Sequence, residues 1–283
     1  MSIYHFRLVN VFAESIFGGN PLCVFEDGRG LDDAEMQALA LQFNLSETTF
    51  LLPSSSATAQ VRIFTPTFEM VFAGHPTLGS AHIVREVFDS SDEITLQMKA
   101  GIIPVQAQND RWTLTAGAPK YRDCELSQAA IAAMLGLHED DILAGARWVN
   151  TGSEQLIIPL ATASDVVRAQ PKAELLAAVA SDIGRSMAYI FAPNEVENGV
   201  AKLLSRFFFM KHGSIVEDPG TGSATANLGG WLCGSDRPLP IEYAIDQGAA
   251  VGRPCRLGLR VDAERNILVS GRVIEIGRGT ITL

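Results

Sequence analysis

Glu217-Asp218-Pro219-Gly220-Thr221-Gly222-Ser223-Ala224 decides how this chain is read. A hydrophobic run, Leu203 to Met210, precedes it, and a small-residue segment, Thr225 to Cys233, follows. That order predicts a strand, a glycine turn and a helix start. The same words occur earlier: Gly74-His75-Pro76-Thr77-Leu78-Gly79-Ser80-Ala81 follows Val61 to Phe64 and leads into His82 to Phe88. Both stretches spell Pro-x-x-Gly-Ser-Ala, with an ionisable residue, His75 or Asp218, just before the proline. The prolines are 143 positions apart (219 less 76), about half of the 283 residues. Arg62-Ile63-Phe64 and Arg206-Phe207-Phe208 lie upstream of the two copies. The pattern reads as an internal duplication that brings paired turns to one site.

A glycine turn leading into a helix presents N–H groups and the positive end of the helix dipole. Such a site holds a carboxylate or a phosphate. One copy alone is explained as well by tight strand-to-helix packing. Two copies, each with an ionisable residue before proline, point to a pair of turns gripping a small acid from both sides. Gly220-Thr221-Gly222 is not a dinucleotide fingerprint, because Thr225 stands where the third glycine belongs and no βαβ unit surrounds it. The phosphate-binding G-x-x-x-x-G-K-[ST] pattern is absent. His138-Glu139-Asp140-Asp141-Ile142 is not the zinc motif H-E-x-x-H, and His75 and His82, seven apart, have no further ligands. Neither a cofactor nor a metal is expected.

Hydrophobic residues make up 47% of the chain and charged residues 19%, enough apolar surface for large cores. The length suits two domains of ordinary size. A formal net charge of −10 disfavours a nucleic-acid partner. Cys23, Cys124, Cys233 and Cys255 are widely spaced and read as buried free thiols of a reducing compartment. Met1-Ser2-Ile3-Tyr4-His5-Phe6-Arg7 lacks the basic and apolar regions of a signal peptide, and Pro219 to Ser235 is too rich in Gly, Ser and Thr to span a membrane. A cytoplasmic protein without membrane partners is expected.

Along the chain, Ile3 to Phe12, Leu22 to Phe25, Leu45 to Pro53 and Gln60 to Thr65 predict strands. Asp32 with Glu35 predicts a capped helix that stops near Asn44. Pro76 predicts a first helical position. Ile94 to Met98, Ile102 to Ala107 and Trp112 to Ala116 complete a first half that ends near Pro119. Ser127 predicts a helix that Gly136 stops. Strands follow at Arg147 to Asn150, Leu156 to Pro159, Met187 to Ala192 and Leu203 to Met210, with a helix over Glu174 to Val179. The second turn opens a helix from about Gly222. Short strands close the chain at Glu242 to Ile245, Cys255 to Val261, Ile267 to Val269, Val273 to Ile276 and Thr280 to Leu283. Many short strands and few helices, without regular βαβ alternation, predict an α+β fold.

Glu47 lies between Ser46 and Thr48 at the start of an apolar strand. A lone glutamate there is more commonly a solvated charge, and spacing alone does not separate that reading from a catalytic carboxylate. Gly19-Asn20-Pro21, Asn44-Leu45-Ser46-Glu47-Thr48, Gly74-His75-Pro76-Thr77-Leu78-Gly79 and Glu217 to Ala224 together resemble the phenazine-biosynthesis PhzF-like family, in that family's order. The resemblance runs from residue 3 to the C-terminus. It implies a diaminopimelate epimerase-like fold: two similar α+β domains, residues 1–119 and 120–283, each a sheet rolled around a central helix. The active site is expected in the cleft between them, and the final strand, about 272–283, is expected to return to the first domain.

The resemblance further implies that Glu47 moves a proton while His75 and Asp218 line the site. Asn20, Ser46, Gly74, Thr77, Gly220, Thr221, Gly222 and Ser223 are the substrate-binding positions it implies, and a homodimer is the assembly. Epimerases of this fold carry a cysteine on each turn. Neither turn has one here, since Cys23 and Cys233 lie outside both. A carboxylate-driven proton shift on a small cyclic or amino-acid-like carboxylic acid is therefore expected. A glutamate in a closed apolar cleft, near a second carboxylate, becomes a stronger base. The rivals are a racemase or epimerase using other residues, and a binding protein that kept the fold and lost the chemistry.

Overall fold

The computed structural model describes all residues 1–283. The chain divides into two compact units, residues 1–115 with 270–283 and residues 116–269. No helix is long and apolar enough to cross a membrane.

Unit 1 runs β1 (Ile3–Val11), β2 (Asn20–Phe25), α1 (Asp33–Phe43), β3 (Glu47–Leu52), β4 (Ala59–Phe64), β5 (Glu69–Met70), α2 (Gly74–Val87), β6 (Glu93–Met98), β7 (Gly101–Gln108) and β8 (Arg111–Thr115). β1 pairs antiparallel with β2 and β3 with β4, whereas β2 with β3 and β4 with β6 are parallel. Parallel neighbours need crossovers, and α1 and the β5–α2 segment supply them. The C-terminal strand, Ile267–Thr282, pairs antiparallel with β1 through Val273 to Thr282. Val273 also donates its N–H to Asp110 O beside β8. Three short strands were expected over this last stretch. They form one, because Gly271, Gly277 and Gly279 continue it without a turn.

α1 begins where the capping chemistry predicts. Asp32 accepts from the Glu35 N–H at 2.8 Å, Glu35 accepts from the Asp32 N–H at 2.9 Å, and Asn44 ends the helix in the left-handed region. Its apolar face, which ends in Phe43, meets the stacked and edge-on rings of Phe25, Phe50 and Phe64. α2 is buried on every side from Gly74 to Val84, as a central helix must be. It touches β1, β2, β3, β4, β6 and β8. Gly79 permits the approach: a Cβ there would lie 2.6 Å from Leu22 Cδ2 and 3.0 Å from Val11 Cγ2.

Unit 2 runs β9 (Lys120–Asp123), α3 (Gln128–Leu135), β10 (Arg147–Asn150), β11 (Glu154–Pro159), α4 (Ala163–Arg168), α5 (Ala173–Ala177), β12 (Met187–Glu197), β13 (Val200–Lys211), β14 (Ser214–Asp218), α6 (Gly222–Cys233), β15 (Ile241–Gln247) and β16 (Cys255–Val261). β10–β11 and β12–β13 are antiparallel; β11–β12 and β13–β15 are parallel. α6 is buried apart from Ser223 and Trp231 and touches β10, β11 and β16. Ser127 caps α3 and Gly136 stops it. A second core gathers α3, α4 and α5 over Trp148, Ile158, Ile190 and Phe208.

Three local readings change. Pro76 is the third helical residue, not the first, since α2 opens at Gly74. Any first-turn position suits proline, because none of those N–H groups has an intrahelical acceptor. The strand Leu203 to Met210 does not feed the second turn directly. His212 and Gly213, at φ 51° and 77°, fold it into a hairpin, and β14 delivers the turn. The residues after Pro119 form strand β9, and the capping box Thr162–Asp165 starts α4, a helix the apolar pattern left unmarked.

The repeat also has a different register. Arg62 makes two hydrogen bonds to Glu69, 2.8 and 2.7 Å, and lies 5.0 Å over the Phe64 ring. Arg206 makes two to Glu217, 3.1 and 2.7 Å, and lies 4.7 Å over the Phe208 ring. Phe64 faces Glu69 across one hairpin and Phe208 faces Glu217 across the other. From Glu69 to Glu217 is 148 positions, as is Gly74 to Gly222, the two helix starts. The shared Pro-x-x-Gly-Ser-Ala words, 143 apart, are thus five residues out of step with the shared structure.

Candidate active site

α2 places Gly74 and His75 at its first two positions, and β3 begins with Glu47, opposite Leu22 of β2. His75 Nε2 lies 3.2 Å from Glu47 Oε2. The two atoms are within reach but not aligned as a finished hydrogen bond, as is common before a substrate closes a site. His75 is buried and Glu47 half-buried. Burial pulls the His75 imidazole down to about 3, opposed by a hydrogen bond to the Pro21 backbone. Proline has no N–H, so Pro21 offers only its carbonyl and the ring must donate. Nε2 faces Glu47, so the donor is Nδ1. That assigns the neutral tautomer with hydrogen on Nδ1 and a lone pair on Nε2. The Nε2 lone pair can accept a hydrogen bond from Glu47 in its acid form, with the proton staying on the carboxyl.

Asn20 begins β2 and is fully buried. Ser46 precedes β3 and is exposed. Thr77 is tied into its own helix: its hydroxyl donates to Ala73 O at 2.7 Å and approaches Met98 Sδ at 3.6 Å. His82 is not beside His75 chemically; its Nδ1 accepts from Trp112 Nε1 at 3.2 Å. No three His, Cys, Asp or Glu side chains converge as a metal site. All four cysteines are free, and burial pushes the Cys23 thiol up, away from thiolate chemistry.

In unit 2, Asp218 ends β14 and Thr221 is the residue before α6. The Thr221 hydroxyl donates to Asp218 Oδ2 at 2.5 Å. Gln247, the last residue of β15, is buried against this turn. Its Nε2 donates to Asp218 O at 2.9 Å and Thr221 Oγ1 at 3.0 Å, and its Oε1 accepts from the Thr221 N–H at 3.3 Å. Gly248, at φ 81°, follows, and a Cβ there would lie 2.4 Å from Pro219 O. Gly220 and Gly222 are buried in the turn. Ser223 is half-buried and accepts from Gln155 Nε2 at 3.0 Å. Gln155 in turn accepts from Asn227 Nδ2 at 2.7 Å.

Sequence reasoning singled out Glu47, His75 and Asp218 and passed over Gln155, Asn227 and Gln247. An amide inside a strand or a small-residue helix has no local signature, and each contact spans dozens of residues.

A family model described as phenazine biosynthesis-like protein matches residues 9–279. An uncharacterized isomerase of Pasteurella multocida is 41% identical over 98% of this chain and 94% of its own. The trans-2,3-dihydro-3-hydroxyanthranilate isomerase of Pseudomonas chlororaphis is 30% identical over 99% of this chain and 100% of its own. The crystal structure of a PhzF-family phenazine biosynthesis protein from Bacillus anthracis is similar at a TM-score of 0.87 and 25% identity, covering 100% of both chains.

Proposed function

The chain belongs to the phenazine biosynthesis-like (PhzF) family, and on that premise we propose that it is a cofactor-independent isomerase that moves a proton on a small carboxylic acid. The observation that carries this reading is the contact between Glu47 and a buried, neutral His75. Glu47 is the base. It takes a proton from a carbon made acidic by a neighbouring unsaturated or carboxyl group, and its acid form returns that proton to a second carbon. A dry imidazole resists becoming a cation, so a proton gained by Glu47 stays there instead of leaking through His75 to solvent. The N–H groups that open α2 hold a polar group of the substrate as charge develops. The turn of Asp218, Gly220, Thr221, Gly222 and Ser223 holds the same molecule; this part rests on the sequence pattern and the family.

The test is incubation in D₂O with trans-2,3-dihydro-3-hydroxyanthranilate and a panel of small amino and hydroxy acids, followed by NMR and mass spectrometry. Deuterium at a new carbon of a rearranged product is expected. Deuterium with inverted configuration at the same carbon would assign an epimerase instead. Exchange that survives Glu47→Gln at the parent rate would remove Glu47 from the role.

A further inference from the structure

Four hydrogen bonds in unit 2 have a direction that the chemistry of their ends dictates. Thr151 N–H donates to Asn227 Oδ1 at 2.8 Å, and a backbone N–H can only donate. The Asn227 amide is therefore turned with Oδ1 to Thr151 and Nδ2 to Ser153 O, 2.8 Å, and Gln155 Oε1, 2.7 Å. Gln155 must then show its Nε2 to Ser223. Ser223 Oγ is an acceptor in that bond, so its single hydrogen points elsewhere. No acceptor within unit 2 takes it, and Ser223 is half-buried at the opening of α6. The Gln247 amide is fixed in the same way. Thr221 N–H demands Oε1, and Asp218 C=O demands Nε2. Nε2 then donates to Thr221 Oγ1, which leaves the threonine hydrogen for Asp218 Oδ2. Gln155, Asn227 and Gln247 are all fully buried, so water does not scramble these directions.

We propose that Gln155 and Asn227 are positioning residues that set the hydrogen-bond polarity of the second turn, so that Ser223 presents a donor to one small acid. This deepens the isomerase reading and rests on it. The substrate then places an acceptor oxygen, from a carboxylate or carbonyl, at Ser223.

The test uses the full chain in the non-turning Glu47→Gln background, with trans-2,3-dihydro-3-hydroxyanthranilate as the calorimetric probe. Ser223→Ala should weaken binding about tenfold, the worth of one hydrogen bond. Gln155→Glu should match it, because a carboxylate accepts the Ser223 hydrogen and removes the outward donor. The double variant should bind no more weakly than either single one. Binding of Gln155→Glu at parental affinity, or losses that multiply, would overturn the proposal. A readout without ligand stands beside it. The Gln155 side-chain NH₂ protons should be protected from exchange in the parent and lose protection in Ser223→Ala. Absence of protection in the parent overturns the proposal. Failure of the probe to bind at all counts against the substrate class alone, and the amide exchange still decides.

Discussion

Units 1 and 2 start their central helices from the same frame and put different chemistry on it. In each, an arginine stacks on a phenylalanine two residues later and clamps a glutamate across a hairpin, and the helix opens five residues after that glutamate. In this register His75 corresponds to Ser223, the second residue of each helix. Thr48 faces Phe64 as Ala188 faces Phe208, so Glu47 corresponds to Met187. Leu22 and Gly79, which pack together in unit 1, correspond to Gln155 and Asn227, which hydrogen-bond in unit 2. The opening in unit 1 is apolar and dry beside a carboxylate. The other is lined with amides of fixed direction. The difference teaches that charged and aromatic clamps can hold one frame while the helix openings carry different side chains.

The largest effect should come from breaking the asymmetry itself. Glu47→Gln should lower turnover by about 10²–10⁴-fold, the usual worth of a general base, while Met187→Leu at the matching place should leave it within about twofold. Steady-state rates on the acid identified by deuterium exchange check both.

The clamps should be unequal. Glu217 is half-buried and Arg206 is its one cationic partner, whereas Glu69 also meets Lys99 at 2.6 Å. Arg206→Met should cost about 1–3 kcal/mol, the loss of charged hydrogen bonds to a half-buried carboxylate, and Arg62→Met less. Urea melts of the two variants compare them.

Gly79→Ala should cost about 1–3 kcal/mol by overpacking against Leu22 and Val11. Leu22→Ala in the same chain should recover part of that loss, a coupling that two separate melts and a double variant measure.

A further effect is in pH. Burial holds His75 near 3 in the folded chain, against 6.5 for the unperturbed ring. The unfolded chain therefore binds the proton first. The stability that rests on a neutral ring is complete above about pH 6.5 and is lost as pH falls toward 3. His75→Gln should flatten that slope in melts between pH 4 and 7, while Ser223→Ala should not change it, having nothing to titrate.

Much of this was legible in the residues. Asp32, Glu35 and Asn44 set out a whole helix, as Ser127 and Gly136 did another, because caps are local chemistry. Glu47, His75 and Asp218 stood out in their motifs. The repeat was legible as a fact and misleading as a register. Pro-x-x-Gly-Ser-Ala recurs because small residues suit helices that approach strands closely, and that need arises at different turns of α2 and α6. The true markers were Glu69 and Glu217, single acidic residues with no motif around them. Gln155, Asn227 and Gln247 were silent for a related reason: their meaning lies in partners 26 to 76 residues away.

The C-terminal strand adds a consequence in time. Ile3 pairs with Thr282, so unit 1 contains both ends of the chain and unit 2 is an insertion within it. A ribosome makes unit 2 complete before it releases the strand that β1 requires. Until that strand arrives the β1 edge of unit 1 stays open, while unit 2 already has all of its own residues. A purified chain ending at residue 269 should therefore resist protease in unit 2 and yield in unit 1, and equal resistance in both would show that the last strand is dispensable.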